Sequence, residues 1–262
     1  MIKVIRRWLW RLRSFSLLTP AATTLAAVCL FVFWIQTVTA SLPFVYGYSL
    51  GTAVEMCFAL NWDLFIRGCY WQPFTYLFLH GGWGHLFLNV LAIILFGAGV
   101  ERLVGARRFW LIFLLGGMLG GLGWFGVMAC LPFLPSIPSL LNSLPEAVRA
   151  WFPVQAQAQS LNTALCVGAS GGVFALIGAF AALFPRAQVY VLLFFVLPLR
   201  LKARNLAIVL GVLTILDAVF LQLQVAYAAH LAGGVVGYLI GLRLRDGLWI
   251  QSEEPFLRGD EE

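Results

Sequence analysis

The pattern of apolar and polar positions divides the chain into long apolar runs joined by short polar segments. A helix rises about 1.5 Å per residue, so roughly 20 apolar residues cross the hydrocarbon core of a bilayer, which is about 30 Å thick. Six runs approach or exceed this length, and we predict that each is a membrane-spanning helix. They cover residues 17–40, 75–100, 109–131, 164–184, 205–221 and 226–242.

A seventh apolar run, residues 189–199, is too short to cross a bilayer. Pro198 ends it, and the basic residues Arg200, Lys202 and Arg204 follow. We predict an interfacial segment that leads into the fifth helix. The predicted fold class is therefore an all-α membrane protein, a bundle of six transmembrane helices.

The composition supports this fold class. Hydrophobic residues make up 61% of the chain and charged residues 11%, whereas soluble domains have roughly 45–50% and about 25%. These values exclude an ordinary soluble domain and predict an integral membrane protein. We divide the chain into a basic N-terminal segment, 1–16, a membrane domain, 17–245, and a tail, 246–262. The proline-rich stretch 131–163 is predicted to be an outer connection.

The placement of charge predicts the orientation of the bundle. With six spans, fifteen of the seventeen basic residues fall on one side, and only Arg67 and Arg149 fall on the other. Basic residues are enriched on the cytoplasmic side of membrane proteins, so we predict that both termini are cytoplasmic. We expect the first apolar run to stay as a helix rather than to be a cleaved signal peptide. The net charge of +6 then indicates attraction to anionic lipid and gives no reason to predict nucleic-acid binding.

Four reactive side chains interrupt the apolar runs: His80, His85, Ser170 and His230. Ionisable groups are costly in hydrocarbon, so each marks a candidate functional site. In the predicted topology all four lie within roughly 10–15 Å of the outer boundary of the hydrocarbon core. Their shared depth predicts one cavity that water can reach, with the serine as a nucleophile and a histidine as its base.

Small residues predict how the fourth and sixth helices pack. Gly233 begins a row of glycines spaced four apart on the sixth helix, and Gly168 and Gly171 belong to a small-residue surface of the fourth. Such surfaces let the backbones of membrane helices approach closely. Because the row begins three residues after His230, the same face can present the histidine. We therefore predict a hydrogen bond between Ser170 and His230.

Three segments resemble the signatures of the rhomboid family of intramembrane serine proteases. They are HGGWGHLFLN at 80–89, GASG at 168–171 and AHLAG at 229–233. The resemblance runs from about Trp71 to Arg245, in the family's order and with its spacing. It implies a six-helix rhomboid bundle in a bacterial inner membrane. It also implies a hydrolase that cleaves a peptide bond in or near the transmembrane segment of client membrane proteins.

The resemblance assigns a role to each motif residue. Ser170 would be the nucleophile and His230 its general base, and His85, Asn89 and the backbone N–H of Ser170 would hold the oxyanion. His85 and Asn89 are four residues apart and share one helix face, so two donors can converge there. No cofactor and no metal are expected, and the expected partners are transmembrane protein substrates and the lipid bilayer. The supporting residues would be His80, Gly168, Gly171, Phe174, Ala229 and Gly233.

Three positions depart from the family's pattern. Phe174, one helical turn after Ser170, stands where tyrosine is usual, and Ala226 stands where glycine is frequent. Gln72 stands where many members have arginine. We expect Phe174 to lie against the ring of His230. The change at Gln72 leaves open how the first outer loop is anchored.

Acidic residues offer no obvious third member of a triad, so we predict a Ser–His dyad. Asp217 lies toward the outer end of the fifth helix, where we expect it to anchor a loop. Glu101 and Arg102, at the end of the second helix, match a family feature that we expect to be structural. The remaining candidates, in predicted outer loops, are Glu55, Asp63 and Glu146.

Four other interpretations compete with a protease. The segment GASGG at 168–172 matches a nucleophile elbow, but that turn needs a strand before it in an α/β sheet. His80 and His85 are five residues apart, which is a poor spacing for a metal or haem site on one helix face. A solute transporter has less support still. A catalytically inactive rhomboid-like protein that binds client membrane proteins is the main alternative, although such proteins usually lack the serine or the histidine.

Two points stay open. His80 either supports the loop that enters the second helix or contacts substrate or water. Cys57 and Cys69 share the first outer loop, where they are able to pair only if that compartment is oxidising.

Overall fold

A computed structural model describes residues 19–44, 49–130, 164–193, 197–217 and 226–253. The predicted N-terminal segment 1–16, the outer connection 131–163 and the end of the tail lie outside the described residues, as do Glu146 and Arg149.

Helices make up most of the described chain, as the sequence predicted. Four of them, α1, α5, α6 and the part of α9 up to Gly247, are long and apolar enough to cross a membrane. The apolar helices α7 and α8 are shorter. The helices are α1 (Pro20–Ala40), α2 (Leu50–Phe58), α3 (Trp62–Ile66), α4 (Gln72–Thr75), α5 (Trp83–Val104), α6 (Ala106–Cys130), α7 (Ser170–Leu183), α8 (Ala203–Leu216) and α9 (Tyr227–Glu253).

The second predicted span begins later than the hydrophobic pattern indicates. The structure starts α5 at Trp83, and the residues before it form α4 and a 3₁₀ turn at Tyr76–Phe78. Gly81 and Gly82 separate that turn from α5, because glycine is a poor helix former. His80 therefore lies in the loop before the helix.

The fourth predicted span also begins later, because residues 164–169 are not helical. Leu60 and Cys166 form an antiparallel bridge, with the N–H of each donating to the carbonyl oxygen of the other at 2.9 and 3.0 Å. The connection between α1 and α5 thus holds the segment that leads into α7. As a result, Ser170 is the first residue of the helix and not a residue in its interior.

A β-hairpin connects α7 and α8, in place of the interfacial segment predicted at 189–199. Strand β1 (Gln188–Leu193) pairs with β2 (Leu197–Lys202) in antiparallel register, with Gln188 opposite Lys202. Val189, Tyr190 and Val191 are β-branched or aromatic residues, which favour strands. The hairpin is the main difference from the all-α prediction within the described chain.

The start of α1 is fixed by a carboxylate from α5. The two oxygens of Glu101 accept hydrogen bonds from the backbone N–H groups of Ala21 and Ala22, each at 2.8 Å. The first N–H groups of a helix have no partner within the helix, and the positive end of its dipole attracts an anion. Glu101 is 3% exposed and has the structural role predicted for it.

Contacts near Glu101 show which helix ends lie together. A methyl group built on Gly99 of α5 would touch the ring of Phe180 in α7, and Arg245 of α9 donates to the carbonyl oxygen of Ala182 at 3.3 Å. The start of α1, the end of α5, the end of α7 and the later part of α9 therefore share one end of the bundle. We call it the Glu101 end, and the opposite end the Ser170 end.

Candidate active site

Ser170 and His230 meet at the Ser170 end. Ser170 begins α7, and His230 lies in the first turn of α9. Nε2 of His230 is 2.8 Å from Oγ of Ser170, which is a hydrogen-bond distance. Both residues are half-buried. A hydroxyl proton can pass directly to the imidazole in this geometry, as a nucleophile and its general base require.

Close packing of the helix backbones makes this contact possible. A methyl group added at Gly233 of α9 would collide with the carbonyl oxygen of Gly171 in α7. On the other side of α9, the carbonyl oxygen of Ala229 would lie 2.7 Å from a methyl group at Gly120 of α6. The predicted small-residue surfaces are therefore where the backbones touch, and they set the depth of His230.

The ring of Phe174 stacks on the ring of His230. The two rings lie parallel, with an angle of 1° between the planes and 4.4 Å between the centroids. This stacking is the contact that the sequence predicted. It limits rotation of the imidazole about its side-chain bonds, so Phe174 can hold Nε2 toward Ser170 without an acidic third residue.

Gly168 brings the ring of His85 close to the serine. Its φ of +129° lies in a region that side chains rarely adopt. A methyl group there would lie 2.6 and 2.7 Å from Cε1 and Nε2 of His85 and 3.5 Å from Oγ of Ser170. Because glycine has no side chain, the ring of His85 can occupy this space beside Ser170.

The hydrogen bonding of His85 indicates which of its ring nitrogens carries the proton. The backbone N–H of Gly81 points to Nδ1 of His85 at 3.4 Å, so Nδ1 is an acceptor. A neutral imidazole with an acceptor at Nδ1 has its proton on Nε2. Cε1 and Nε2 are the ring atoms nearest to Gly168, so this N–H lies on the side of the ring toward the segment that carries Ser170, where a donor is able to stabilise negative charge.

Asn89 lies one helical turn after His85 and is 4% exposed. Its Nδ2 donates to the backbone carbonyl oxygen of His85 at 2.9 Å. This bond uses one of the two amide N–H groups and fixes the amide plane, and it leaves the second N–H available. The predicted contact between Asn89 and an oxyanion remains a prediction.

His80 has a structural contact with the site. It is 2% exposed, its ring meets that of His85 edge to face at 5.4 Å, and its Nδ1 lies 3.2 Å from the carbonyl oxygen of Phe78. Nε2 of His80 has no hydrogen-bond partner among the described residues. The structure thus supports the packing role, and a contact of this buried nitrogen with water or substrate remains a prediction.

Gln36 of α1 was not predicted, yet it fixes the backbone of His80. Its Oε1 accepts the His80 N–H at 2.9 Å, and its Nε2 donates to the His80 carbonyl oxygen at 3.3 Å. Nε2 also lies 3.4 Å from Oε1 of Glu55 in α2. The signal in the sequence was an amide side chain within an apolar run, because such a group needs partners inside the protein.

Gln72 and Trp71 anchor the connection between α1 and α5, which the sequence predicted to be the first outer loop. Oε1 of Gln72 accepts the backbone N–H of Asn61 at 3.0 Å, and Nδ2 of Asn61 lies 3.4 Å from the carbonyl oxygen of Ala164. Nε1 of Trp71 donates to the carbonyl oxygen of Cys57 at 2.9 Å. A neutral amide thus holds the loop at the position where many family members have arginine.

Tyr76 is a second residue that sequence reasoning missed. Its backbone carbonyl oxygen accepts the N–H of Gly168 at 2.9 Å, and its hydroxyl donates to the carbonyl oxygen of Gly117 at 2.7 Å. A methyl group on Gly171 would come within 2.6 Å of that hydroxyl. Tyr76 therefore supports the segment on both sides of Ser170.

The remaining predicted residues lie outside the reactive centre. The carbonyl oxygen of Ala226 accepts the backbone N–H of His230 at 3.1 Å. Asp217 follows the last residue of α8, and the loop that it was expected to anchor lies outside the described residues. Cys57 and Cys69 are free thiols. Within the described ranges no group of three His, Cys, Asp or Glu side chains is placed to hold a metal ion.

Comparison with known proteins gives several curated relatives. The chain is 37% identical over 82 residues to the rhomboid protease GluP of Bacillus subtilis, which is 31% of this chain and 16% of GluP. It is 34% identical over 92 residues to YdcA of the same organism, 35% of this chain and 36% of YdcA. Over 173 residues it is 26% identical to the mitochondrial Rhomboid protein 1 of Saccharomyces cerevisiae, 63% of this chain and 39% of that protein.

The matched segments span well under two thirds of these relatives' own lengths. The family model for the rhomboid domain matches residues 67–247. This range contains every residue of the site from Gln72 to Gly233 and covers more than half of the sequence. The chain is therefore an integral membrane protein that belongs to the rhomboid family.

Proposed function

We propose that this protein is an intramembrane serine endopeptidase that hydrolyses a peptide bond in or near the transmembrane segment of client membrane proteins. The observation that carries the proposal is the 2.8 Å contact between Nε2 of His230 and Oγ of Ser170. Relatives such as GluP are named as proteases. Membership of the rhomboid family favours the same activity for this chain.

In the proposed reaction, Ser170 and His230 act as a dyad. Oγ of Ser170 attacks the carbonyl carbon of the scissile bond while Nε2 of His230 takes the hydroxyl proton. His230 then gives this proton to the leaving amine, and the acyl group stays on Ser170. Water attacks the ester, with His230 again as base, and the serine is released.

Negative charge that develops on the substrate carbonyl oxygen needs donors at the Ser170 end. We assign the Nε2–H of His85, the free amide N–H of Asn89 and the backbone N–H of Ser170 to this role. The N–H of Ser170 belongs to the first residue of α7, where the helix dipole also favours negative charge. Loss of one such donor typically lowers the rate by about 100- to 1,000-fold.

The orientation in the membrane follows from charge. We propose that the Glu101 end faces the cytoplasm, with both termini on that side, because fifteen of seventeen basic residues then lie there. The Ser170 end would face outward, in the inner membrane of a bacterial cell. Clients would therefore be cleaved near the outer leaflet, where water reaches Ser170.

The runner-up is a catalytically inactive protein that binds client membrane proteins. It predicts that a client is retained without being cut. Because Ser170 and His230 are both present and in contact, the structure gives the inactive reading no specific support.

A cleavage assay tests the proposed function. The full-length protein is reconstituted in liposomes with a single-span client, and the products are followed by gel electrophoresis and mass spectrometry. We expect cleavage, and we expect a Gly-Pro pair near the scissile bond to raise the rate, because an intact helix has its carbonyl groups occupied by hydrogen bonds. Equal rates for rigid and broken client helices would contradict the second expectation. A folded protein that binds clients and cuts none would contradict the first.

A second prediction concerns the stacking of Phe174 on His230. Phe174→Ala removes this contact, and we expect kcat to fall about two- to twelvefold, since aromatic pairs contribute roughly 0.5–1.5 kcal/mol. Phe174→Tyr keeps the ring and should keep most of the rate. Phe180→Ala is the matched control, because this phenylalanine of the same helix contacts Phe96 and Phe184. An unchanged kcat in Phe174→Ala, or an equal fall in the control, would show that stacking does not orient the histidine.

A further inference from the structure

The β-hairpin has two different faces. Its register places Val189 opposite Leu201 and Tyr190 opposite Arg200. Val189, Val191 and Leu201 are half-buried and pack against the hydrophobic core. Because side chains alternate along a strand, the neighbouring positions point away from the bundle.

The outward face carries positive charge and an aromatic ring. Tyr190 is 67% exposed, and Gln188, Arg200 and Lys202 are also exposed. The guanidinium carbon of Arg200 lies 5.8 Å from the centroid of the Tyr190 ring, within the range of a cation–π contact. The arginine is thus held over the tyrosine while its N–H groups remain free to bind an anion.

Two more cations stand at the base of the hairpin. The N–H of Ala203 donates to the carbonyl oxygen of Ala187 at 2.9 Å, which closes the base next to the exposed residues Arg186 and Arg204. We call Arg186, Arg200, Lys202 and Arg204 the hairpin basic cluster.

No acidic residue neutralises this cluster within the described part of the chain. The sequence has no Asp or Glu between Glu146 and Asp217. Two acidic residues at the Glu101 end are engaged elsewhere, Glu101 with the start of α1 and Asp246 with Arg245 at 3.6 Å. The ion pairs among the described residues, Arg67 with Asp63 and Arg245 with Asp246, involve none of the four cations.

The position of the hairpin determines which molecules can contact the hairpin basic cluster. It joins the end of α7 to the start of α8, and both are apolar helices of a membrane bundle. The hairpin base therefore lies at the level where hydrocarbon gives way to lipid headgroups. Tyrosine and basic side chains are favoured at this level, since a polar tip reaches the headgroups while the apolar part stays in the membrane.

We propose that the outward face of the hairpin is a binding site for the phosphate headgroups of anionic phospholipids. The hairpin basic cluster supplies charge complementary to such lipids, and Tyr190 places Arg200 at the headgroup level. The site lies at the Glu101 end, apart from Ser170, and the proposal does not depend on peptidase activity.

Native mass spectrometry of the full-length protein tests the proposal. The protein is purified in detergent, mixed with phosphatidylglycerol or phosphatidylcholine, and the retained lipids are counted. We expect the wild type to retain phosphatidylglycerol preferentially. Arg200→Gln/Lys202→Gln should weaken that retention by about 30-fold, because each of these side chains loses a direct contact with the bound headgroup, and each such contact contributes roughly a fivefold change in binding.

The matched control is Arg107→Gln/Arg108→Gln. These arginines are exposed at the start of α6, at the same end of the bundle, so the control removes the same charge at the same depth. We expect it to keep the preference for phosphatidylglycerol. Arg200→Lys/Lys202→Arg keeps the charge and should retain the lipid, and thermal unfolding in detergent checks that each variant is folded.

Three outcomes would overturn the proposal. Equal retention in the wild type and the Arg200→Gln/Lys202→Gln variant would show that the face does not bind lipid. An equal loss in the Arg107→Gln/Arg108→Gln control would show that only total charge matters. Displacement of phosphatidylglycerol by millimolar inorganic phosphate or by an acidic peptide would show that the face binds a soluble anion instead.

Discussion

Ser170→Ala is expected to abolish cleavage of a client membrane protein, with a fall in kcat/KM of about 10,000-fold or more. The hydroxyl of Ser170 is the nucleophile in the proposed reaction, and no other serine hydroxyl among the described residues forms a hydrogen bond with a histidine. Without the Ser170 hydroxyl, the peptide bond is hydrolysed only by direct attack of water.

His230→Ala should lower the rate by a similar amount, because Oγ of Ser170 then loses the base 2.8 Å away. The two residues act as a unit, so the double variant should be no slower than either single variant. Ser41→Ala is the control for the serine change. Ser41 is exposed and its hydroxyl donates to the carbonyl oxygen of Val38, so removal of this hydroxyl should leave the rate unchanged. Additive losses in the double variant would argue against a dyad.

Gly168→Ala should also lower the rate of client cleavage, with a fall in kcat/KM of about 100- to 1,000-fold. The new methyl group would lie 2.6 and 2.7 Å from ring atoms of His85, and the φ of +129° strains any side chain at this position. The ring must therefore move away from the serine, and the oxyanion loses a donor. Thermal unfolding in detergent checks that the variant is still folded.

Gly81→Ala is the matched control for this prediction. Gly81 touches the same imidazole, but a methyl group there would lie 3.8 Å from Nδ1 of His85, an ordinary contact. The backbone N–H that points to Nδ1 is kept. We expect close to wild-type activity. Full activity in Gly168→Ala, or an equal loss in Gly81→Ala, would remove His85 from the proposed oxyanion site.

The pairing of Ser170 with His230 was predictable from the sequence, because small residues on two predicted helices identified the faces that touch. The row that begins at Gly233 placed His230 on the face toward α7. The stacking of Phe174 followed from its spacing of one helical turn from Ser170. These predictions depend on helical periodicity and on residue size, which the sequence gives directly.

Other features could not be read from the sequence because they depend on contacts between distant segments. The hydrophobic pattern extended the second span back to 75, although Gly81 and Gly82 interrupt the helix and leave His80 in a loop. Gln36 lies 44 residues from His80, and periodicity does not show which backbone its amide contacts. The strands at 188–193 and 197–202 are rich in apolar residues. A short helix or an interfacial segment would be equally apolar, so hydrophobicity alone did not distinguish these structures.

The most direct test of the central claim is labelling of the detergent-purified protein with a fluorophosphonate probe, which reacts with activated serines. The account predicts that the wild type is labelled at Ser170, as mapped by mass spectrometry. It predicts that Ser170→Ala and His230→Ala both lose the label while remaining folded. A folded wild type that takes up no specific label, or a His230→Ala variant that labels as fast as the wild type, would contradict the claim that His230 activates Ser170.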